Sequence, residues 1–359
     1  MSEPRTSDWP ARARARPPGV EPRRSAAAPE ITIGVPASAV EKELAGALVS
    51  LERSAAHAGR PYEIVVAVNG PEEPAPAAAG AAAFATAAGL PLVADERGPA
   101  PPVLPVVRLL RLAVRSKVAA WNAIRAAARA PVIVFADADV RVARDAIALL
   151  AARLGAEPDL AVVGAREVAL LEPGDGPWAR AAALQYRFDF ANIPGRLYVL
   201  RAAALPEPMP AHVLHEDAYL TVKLGRARFA KERSAVVYLR PPLTWRDYLR
   251  QRVRNEVGKL QLAHEFPDLR RAHGFGRYPW RAFLREIAPR EYPLVALSLA
   301  ARVYARVRAL SAVRAGFPTG WTVLPSTKRW PAGDPQREEP GPRCNAHDGA
   351  AQRGAALRP

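Results

Sequence analysis

Apolar runs of strand length alternate with helical patterns over the first 170 residues of this 359-residue chain. Three runs rich in β-branched residues predict strands: 31–35, 62–70 and 160–168. The first is expected to stop at Pro36, because proline has no N–H to donate. Leucines at helical spacing from Leu44 to Leu51 and an alanine-rich segment at 75–89 predict helices between the strands. This alternation predicts an α/β fold with a mixed, mostly parallel sheet flanked by helices.

The segment PVIVFADADVRV, residues 131–142, predicts a buried strand that ends in two carboxylates. Asp137 and Asp139 are two residues apart and would point to the same side of that strand. Their repulsion is unfavourable unless a cation or a solvated turn relieves it. One interpretation is a divalent cation that bridges the pair to a diphosphate. The other, which the pair by itself favours, is a turn in which Asp139 caps a helix that begins near Ala143.

Ligands of parallel α/β sheets bind beyond the carboxyl ends of the strands. The second predicted strand ends at Asn69-Gly70, and the strand at 131–142 ends at Asp137. Two separate strands therefore bring polar groups to one edge of the predicted sheet.

Lys and Arg outnumber Asp and Glu by 51 to 35, which gives a net charge of +16 and a pI of about 10.6. This charge fits an anionic partner, such as a phosphorylated small molecule or a membrane surface, or a bias in composition. No nucleic acid partner is expected, because the sequence has no zinc module, aromatic RNA-recognition motif or basic recognition helix.

Three phosphate-related motifs are excluded by inspection of the sequence. The Gly258-Lys259 pair lacks the upstream glycine and the following hydroxyl of a P-loop. No glycine-rich dinucleotide fingerprint follows the first strand. Arg141 stands where a haloacid-dehalogenase-type phosphatase would have Thr or Val.

Several segments, taken in order, resemble family 2 glycosyltransferases of the GT-A fold, which use nucleotide sugars. The resemblance extends over about residues 31–262 and is carried by the segments ITIGVPASAVEKEL, YEIVVAVNG, RSKVAAWNAIRAAARAPVIVFADAD, GRLYVLRAAAL, LHEDAYLTVKLG and QRVRNEVGKLQL. Each segment is a weak motif by itself, and their common order makes the resemblance more specific.

The resemblance implies roles for the acidic residues. Asp137 and Asp139 would hold a divalent cation, Mg²⁺ or Mn²⁺, and through it the diphosphate of the donor. Asp217, in the HED segment, would be the general base that takes a proton from the acceptor hydroxyl. Glu216 would support Asp217 or orient the acceptor.

The resemblance also implies a donor-binding set: Pro36, Asn69, Lys117, Asp137, Gln251 and Arg254. Gln251 and Arg254 lie about one helical turn apart and would reach the pyrophosphate or the acceptor, to which the fork of an arginine is suited.

Structural alternatives exist for the same residues. The acidic pair of HED suits the N-terminus of a helix, where it complements the helix dipole. The QRVRNEVGKL segment is also typical of a solvated basic helix with a buried stripe.

Three segments depart from the family pattern. Ser38, Ala39 and Val40 stand where aromatic, Asn and Glu are common, and Val68-Asn69 replaces the usual acidic pair. Both regions contact the base and ribose of the donor in the family. Asn255 replaces a Trp that is typical of processive members.

The expected organisation is a disordered basic tail at 1–30, a GT-A domain at 31–262, a helical extension at 263–330 and a disordered tail at 331–359. The extension is expected to pack on the catalytic domain, or to lie on an anionic bilayer. The lone cysteine, Cys344, and the lack of a signal-like or spanning apolar segment favour a cytoplasmic protein, either free or in peripheral contact with the inner face of the membrane.

The sequence therefore predicts a metal-dependent, inverting glycosyltransferase of the hexosyltransferase type. Its donor would be a UDP- or GDP-sugar, and its acceptor a hydroxyl of a small molecule or a lipid-linked molecule. The alternative is a non-catalytic protein of the same fold that binds a nucleotide sugar or another anion.

Overall fold

The computed structural model describes residues 28–94, 103–188, 192–268, 287–314, 316–317, 324–328 and 330. Within these ranges, nine strands form one sheet in the order β3-β4-β2-β1-β5-β8-β7-β9-β6. Their bounds are β1 Ile31–Ser38, β2 Tyr62–Asn69, β3 Leu92–Ala94, β4 Val107–Leu112, β5 Val132–Ala136, β6 Arg141–Val142, β7 Val162–Ala169, β8 Leu197–Arg201 and β9 Phe229–Leu239. Of the described strand pairs, five are parallel and three are antiparallel.

Helices cover both faces of the sheet. Their bounds are α1 Leu44–Ala58, α2 Pro76–Ala88, α3 Lys117–Ala127, α4 Ala146–Ala156, α5 Pro177–Ala183, α6 Glu216–Leu224, α7 Trp245–Glu265 and α8 Tyr292–Arg314. Apolar side chains of α1, α2 and α4 share one core with the sheet, and those of α3 and α6 share a second core. The predicted α/β class, with a mostly parallel sheet and a helical C-terminal part, is confirmed.

Pro36 does not end the first strand, so this prediction is wrong. β1 continues to Ser38 and remains paired with β2 along its whole length. Its pairing with β5 stops at Gly34, opposite Phe135. Pro36 therefore lies where β1 has one neighbour instead of two, a position that tolerates the missing donor.

Asp139 is not a helix cap. The helix that follows is α4, which begins at Ala146 with Asp145 as its N-cap residue. The turn after β5 instead leaves Asp137 and Asp139 at the carboxyl edge of the sheet, opposite the start of β8. A backbone hydrogen bond from Asp137 N to Arg196 O, 3.0 Å long, joins the two chain segments there.

The two long C-terminal helices, α7 and α8, pack along each other through small apolar clusters. None of the described helices combines the length and apolar character needed to cross a bilayer. The predicted tails, 1–30 and 331–359, lie outside the described residues except for 28–30, and the predicted domain boundaries stay a prediction.

Candidate functional site

Two adjoining cavities open where the carboxyl ends of β1, β2 and β5 meet α6 and α7. The smaller, of about 80 Å³, is lined by side chains that include Pro36, Ser38, Glu41, Asn69, Asp139 and Lys328. The larger, of about 220 Å³, is lined by side chains that include Glu167, Tyr186, His215, Glu216, Asp217 and Lys231. Both cavities share Lys117, Asp137, Arg196, Gln251 and Arg254. All nine site residues predicted from the sequence line one cavity or both.

Asp137 lies between two cations. Lys117 Nζ is 2.7 Å from one carboxylate oxygen, and Arg196 Nη1 is 2.8 Å from the other. Lys117, at the first turn of α3, also pairs with Glu216. Burial by itself would lower the pKa of Lys117, but Asp137 and Glu216 raise it above its ordinary value. Lys117 therefore stays charged and links the two cavities.

Asp139 contacts a residue from the far end of the chain. Lys328 Nζ lies 2.6 Å from Asp139 Oδ2, and Arg196 Nη1 lies 3.5 Å from Asp139 Oδ1. Lys328 also lies 2.5 Å from Glu41, a carboxylate that is only 4% exposed. Burial would raise the pKa of Asp139, but Lys328 and Arg196 hold it well below its usual range. Asp139 is therefore an anion in this environment.

Asp217 and Glu216 begin helix α6, so the structural interpretation of HED as a helix start is correct and does not exclude a chemical role. Asp217 Oδ1 accepts a hydrogen bond from Ala218 N at 2.7 Å, and Gly195 packs against Oδ2. Burial raises the pKa of both carboxyls, against the opposing effect of Lys117. A buried carboxylate with a raised pKa accepts a proton more readily than a solvated one.

Glu167 is a further, half-buried carboxyl of the larger cavity, and no motif in the sequence points to it. Burial raises its pKa to about 7, with Arg196 and Lys231 opposing this and Asp217 and Asp137 adding to it. Glu167 follows the register shift between β7 and β9, which lies at Ala165/Arg166.

Helix α7 supplies the remaining predicted residues. Thr244 caps its N-terminus by accepting a hydrogen bond from Asp247 N, and Gln251 and Arg254 face both cavities. Burial lowers the pKa of Arg254 to about 10, with Arg196 acting in the same direction. Arg254 is therefore still a cation at neutral pH.

The side chains of Asn69 and Asn122 each form hydrogen bonds with the backbone of another chain segment. Asn69 Nδ2 donates to the carbonyl of Ala37 at 2.7 Å, which ties the ends of β1 and β2 together beside the smaller cavity. Asn122 of α3 bonds the backbone of Met209 in both directions, at 2.8 and 2.9 Å. Asn122 therefore positions a loop.

Four further residues of the site were not predicted from the sequence: Glu41, Glu167, Arg196 and Lys328. Arg196 follows the glycine of a segment already assigned to the site, so its basic side chain was a usable signal. Lys328 is 189 residues from Asp139 along the chain and carries no local motif. Among the described residues, no three His, Cys, Asp or Glu side chains surround a common metal position.

Comparison with known proteins agrees with the family resemblance. Residues 32–205 match the family described as Glycosyl transferase family 2. No curated protein sequence matches the chain significantly.

Solved structures with a similar arrangement include a mannosyltransferase, PcManGT from Pyrobaculum calidifontis in complex with GDP-Man and Mn²⁺. It is 20% identical, with a TM-score of 0.49, over 89% of this chain and 83% of that chain. TarS 1–349 of S. aureus in complex with UDP-GlcNAc is 11% identical, with a TM-score of 0.41, over 80% of this chain and 92% of that chain. The family match over residues 32–205 and the sheet topology confirm the predicted GT-A class and the resemblance to family 2 glycosyltransferases.

Proposed function

We propose that this protein is a metal-dependent glycosyltransferase of the hexosyltransferase type, which moves a sugar from a UDP- or GDP-sugar to an acceptor hydroxyl. The observation that carries the proposal is the position of Asp137. It lines both a small cavity at the ends of β1 and β2 and a larger cavity that is also lined by Asp217. A donor and an acceptor bound in these two cavities would meet at that carboxylate.

The smaller cavity suits the nucleotide end of the donor. Pro36, Ser38 and Asn69 line the side formed by the ends of β1 and β2. Arg196, Lys328 and Arg254 line it with positive charge. Arginine and lysine are the usual partners of phosphate oxygens, so the diphosphate is assigned to these cations.

The charges of this cavity favour entry of the diphosphate together with a cation. Glu41, Asp137 and Asp139 are matched by Lys117, Arg196 and Lys328, and Arg254 adds one further cation to the described lining. A nucleotide-sugar diphosphate brings about two negative charges into this balanced set. The Lys328 ammonium lies between two carboxylates, which supports the binding of a cation there, and carboxylate oxygens are the ligands that Mg²⁺ and Mn²⁺ prefer.

Asp137 and Asp139 are the proposed cation ligands, as the resemblance implies. A bound divalent ion would stabilise the charge that develops on the departing nucleoside diphosphate. Arg196 and Lys117 hold Asp137 in a fixed orientation by contacting its two oxygens. The two cations would also offset part of the negative charge that develops on the departing nucleoside diphosphate.

Asp217 is the proposed general base. Its carboxylate faces the larger cavity and is held by Ala218 N, and its pKa is raised. It would take the proton of the acceptor hydroxyl as the oxygen attacks the sugar carbon. Glu216, paired with Lys117, would keep that lysine in place. Attack from the larger cavity on a sugar whose leaving group lies in the smaller one would invert the configuration at that carbon.

The outer face of α8 is proposed to touch an anionic membrane surface, as a peripheral contact on the cytoplasmic side. Leu299, Val303, Val307 and Leu310 are 43–66% exposed and lie three or four residues apart, on one face of the helix. The helix contains four arginines and no acidic residue. An apolar row with basic residues is typical of helices that lie on anionic lipid, and a lipid-linked acceptor would be reached there.

Binding and turnover measured together test the enzymatic proposal. Melting is followed with UDP- and GDP-sugars, with Mn²⁺ or with EDTA, and sugar transfer is measured on hydroxyl acceptors. A donor at 100 times its dissociation constant should add about 2.7 kcal/mol of stability. Asp139→Ala should abolish transfer in a folded protein, and full activity of this variant or in EDTA would refute the metal assignment. Donor binding with neither transfer nor donor hydrolysis would instead favour a non-catalytic binding protein.

A further inference from the structure

The segment that contains Lys328 lies outside the matched family region and yet completes the smaller cavity. The lysine ammonium is 2.5 Å from Glu41 Oε2 and 2.6 Å from Asp139 Oδ2. These two carboxylates come from different parts of the sheet edge, one after β1 and one after β5. Their oxygens therefore converge on one point, and a cation occupies it.

We propose that Lys328 is an internal cation that fills the Glu41–Asp139 position, and that a divalent metal ion competes with it for these two carboxylates. This inference rests on the proposed function, because the metal ion is the one assigned there to Asp139. It adds Glu41 as a further ligand and Lys328 as a residue that controls access.

Other contacts hold the lysine segment in place. Ser326 N donates to Asp247 Oδ2 at 2.9 Å, and Ser326 Oγ accepts from Leu243 N at 3.1 Å. Ser326 and Thr327 are both buried. Further along, the Trp330 ring lies 4.3 Å from the guanidinium carbon of Arg141. These contacts fix the backbone of the segment beside α7 and do not involve the Lys328 side chain, so we expect that side chain to be able to reorient without them.

Reorientation of Lys328 has a defined use. A divalent ion bound to Glu41 and Asp139 would displace the Lys328 ammonium from these carboxylates, because like charges repel at such short distances. Lys328 would then face the cavity, where the diphosphate of the donor is proposed to bind. Binding of the metal ion and of the diphosphate would therefore favour each other.

Glu41 is one of the two carboxylates for which Lys328 and the metal ion would compete. The Glu41 side chain is only 4% exposed, and its carboxylate lies 2.5 Å from Lys328 Nζ. Without any cation, Glu41 and Asp139 would face each other as two buried like charges, or one would be protonated. Lys328 thus keeps the carboxylates ready for a metal ion.

The test is a Mn²⁺ titration of the full-length protein without nucleotide, in which electron paramagnetic resonance measures the free ion at fixed ionic strength. Lys328→Gln should bind Mn²⁺ about tenfold more tightly than the wild type, because one competing charge is removed. Lys328→Arg should resemble the wild type. Lys42→Gln is the matched control, because it makes the same charge change on an exposed side chain next to Glu41.

A second substitution keeps the test independent of folding losses. Glu41→Gln in the Lys328→Gln background should weaken Mn²⁺ binding again, and melting curves in EDTA confirm that each variant is folded. Equal or weaker Mn²⁺ binding by Lys328→Gln, or no effect of Glu41→Gln, would overturn the inference. Sugar transfer is measured separately, so a protein that shows the Mn²⁺ pattern without transfer contradicts only the proposed function.

Discussion

Gly195 lies against Asp217 so closely that a Cβ at position 195 would be 3.0 Å from Asp217 Oδ2 and 3.3 Å from its carboxyl carbon. The two residues come from the segment before β8 and from the start of α6. The absence of a side chain at position 195 therefore leaves the space in which the carboxylate of the proposed base lies.

Gly195→Ala should lower kcat/KM about 10- to 100-fold, because a displacement of the base by a few tenths of an ångström disturbs proton transfer. Donor affinity, measured by titration with the nucleoside diphosphate, should change little. Gly174→Ala is the control, since a Cβ there meets no atom within 4 Å. Unchanged kcat/KM in Gly195→Ala would show that the position of Asp217 is not critical.

Asp217→Asn should keep nucleotide binding and lose turnover by about 10²- to 10⁴-fold, the usual contribution of a general base. The amide has nearly the shape of the carboxylate but cannot take the proton. Binding is measured by thermal shift with nucleotide and Mn²⁺, and turnover by sugar transfer. Asp159→Asn, on the exposed turn before β7, serves as a control. Normal turnover in Asp217→Asn would contradict its role as the general base and would make Glu167 the next candidate for that role.

Glu167 should make the stability of the protein depend on pH between about 4.5 and 7. Its pKa is raised from an ordinary 4.5 to about 7 by burial, so the folded state holds a proton that the unfolded state releases. The stabilisation is complete below pH 4.5 and is lost as pH rises through 7. Its full size is at most about 3 kcal/mol.

Glu167→Gln stays neutral at every pH, so it should unfold at a higher denaturant concentration than the wild type at pH 8. The two proteins should be similar at pH 4.5. Urea melts at four or five pH values measure this difference. Parallel curves for the two proteins across the whole range would mean that folding does not raise the pKa of Glu167.

Val303→Asp combined with Val307→Asp should weaken binding to vesicles that contain anionic lipid, because both side chains lie on the exposed face of α8. Sedimentation with anionic and with neutral vesicles measures the effect, and added salt should weaken wild-type binding. Val114→Asp changes an equally exposed valine outside α8 and should have no effect. Equal sedimentation with neutral lipid, or none at all, would contradict the membrane proposal.

Much of the site edge was predictable from local sequence. β-branched runs specify buried strands, and parallel strands bring their carboxyl ends to one edge. This rule by itself predicted that Asn69, Asp137 and Asp139 lie at the same edge of the sheet. The predicted end of β1 was wrong because the effect of Pro36 depends on which strands pair with β1 at that point. This pairing is a property of the whole sheet.

The sequence by itself determined four of the nine described strands, their alternation with helices over the first 170 residues, and the carboxylates and amide at the strand ends. Hydrophobic periodicity and turn residues act over a few positions, which is why they can be read locally. The tertiary structure decided which cations meet those carboxylates. Arg196 reaches Asp137 through the antiparallel pairing of β8 with β5, and Lys328 reaches Asp139 across 189 residues. Such ion pairs depend on how distant segments pack and are buried together, and no local pattern encodes that arrangement.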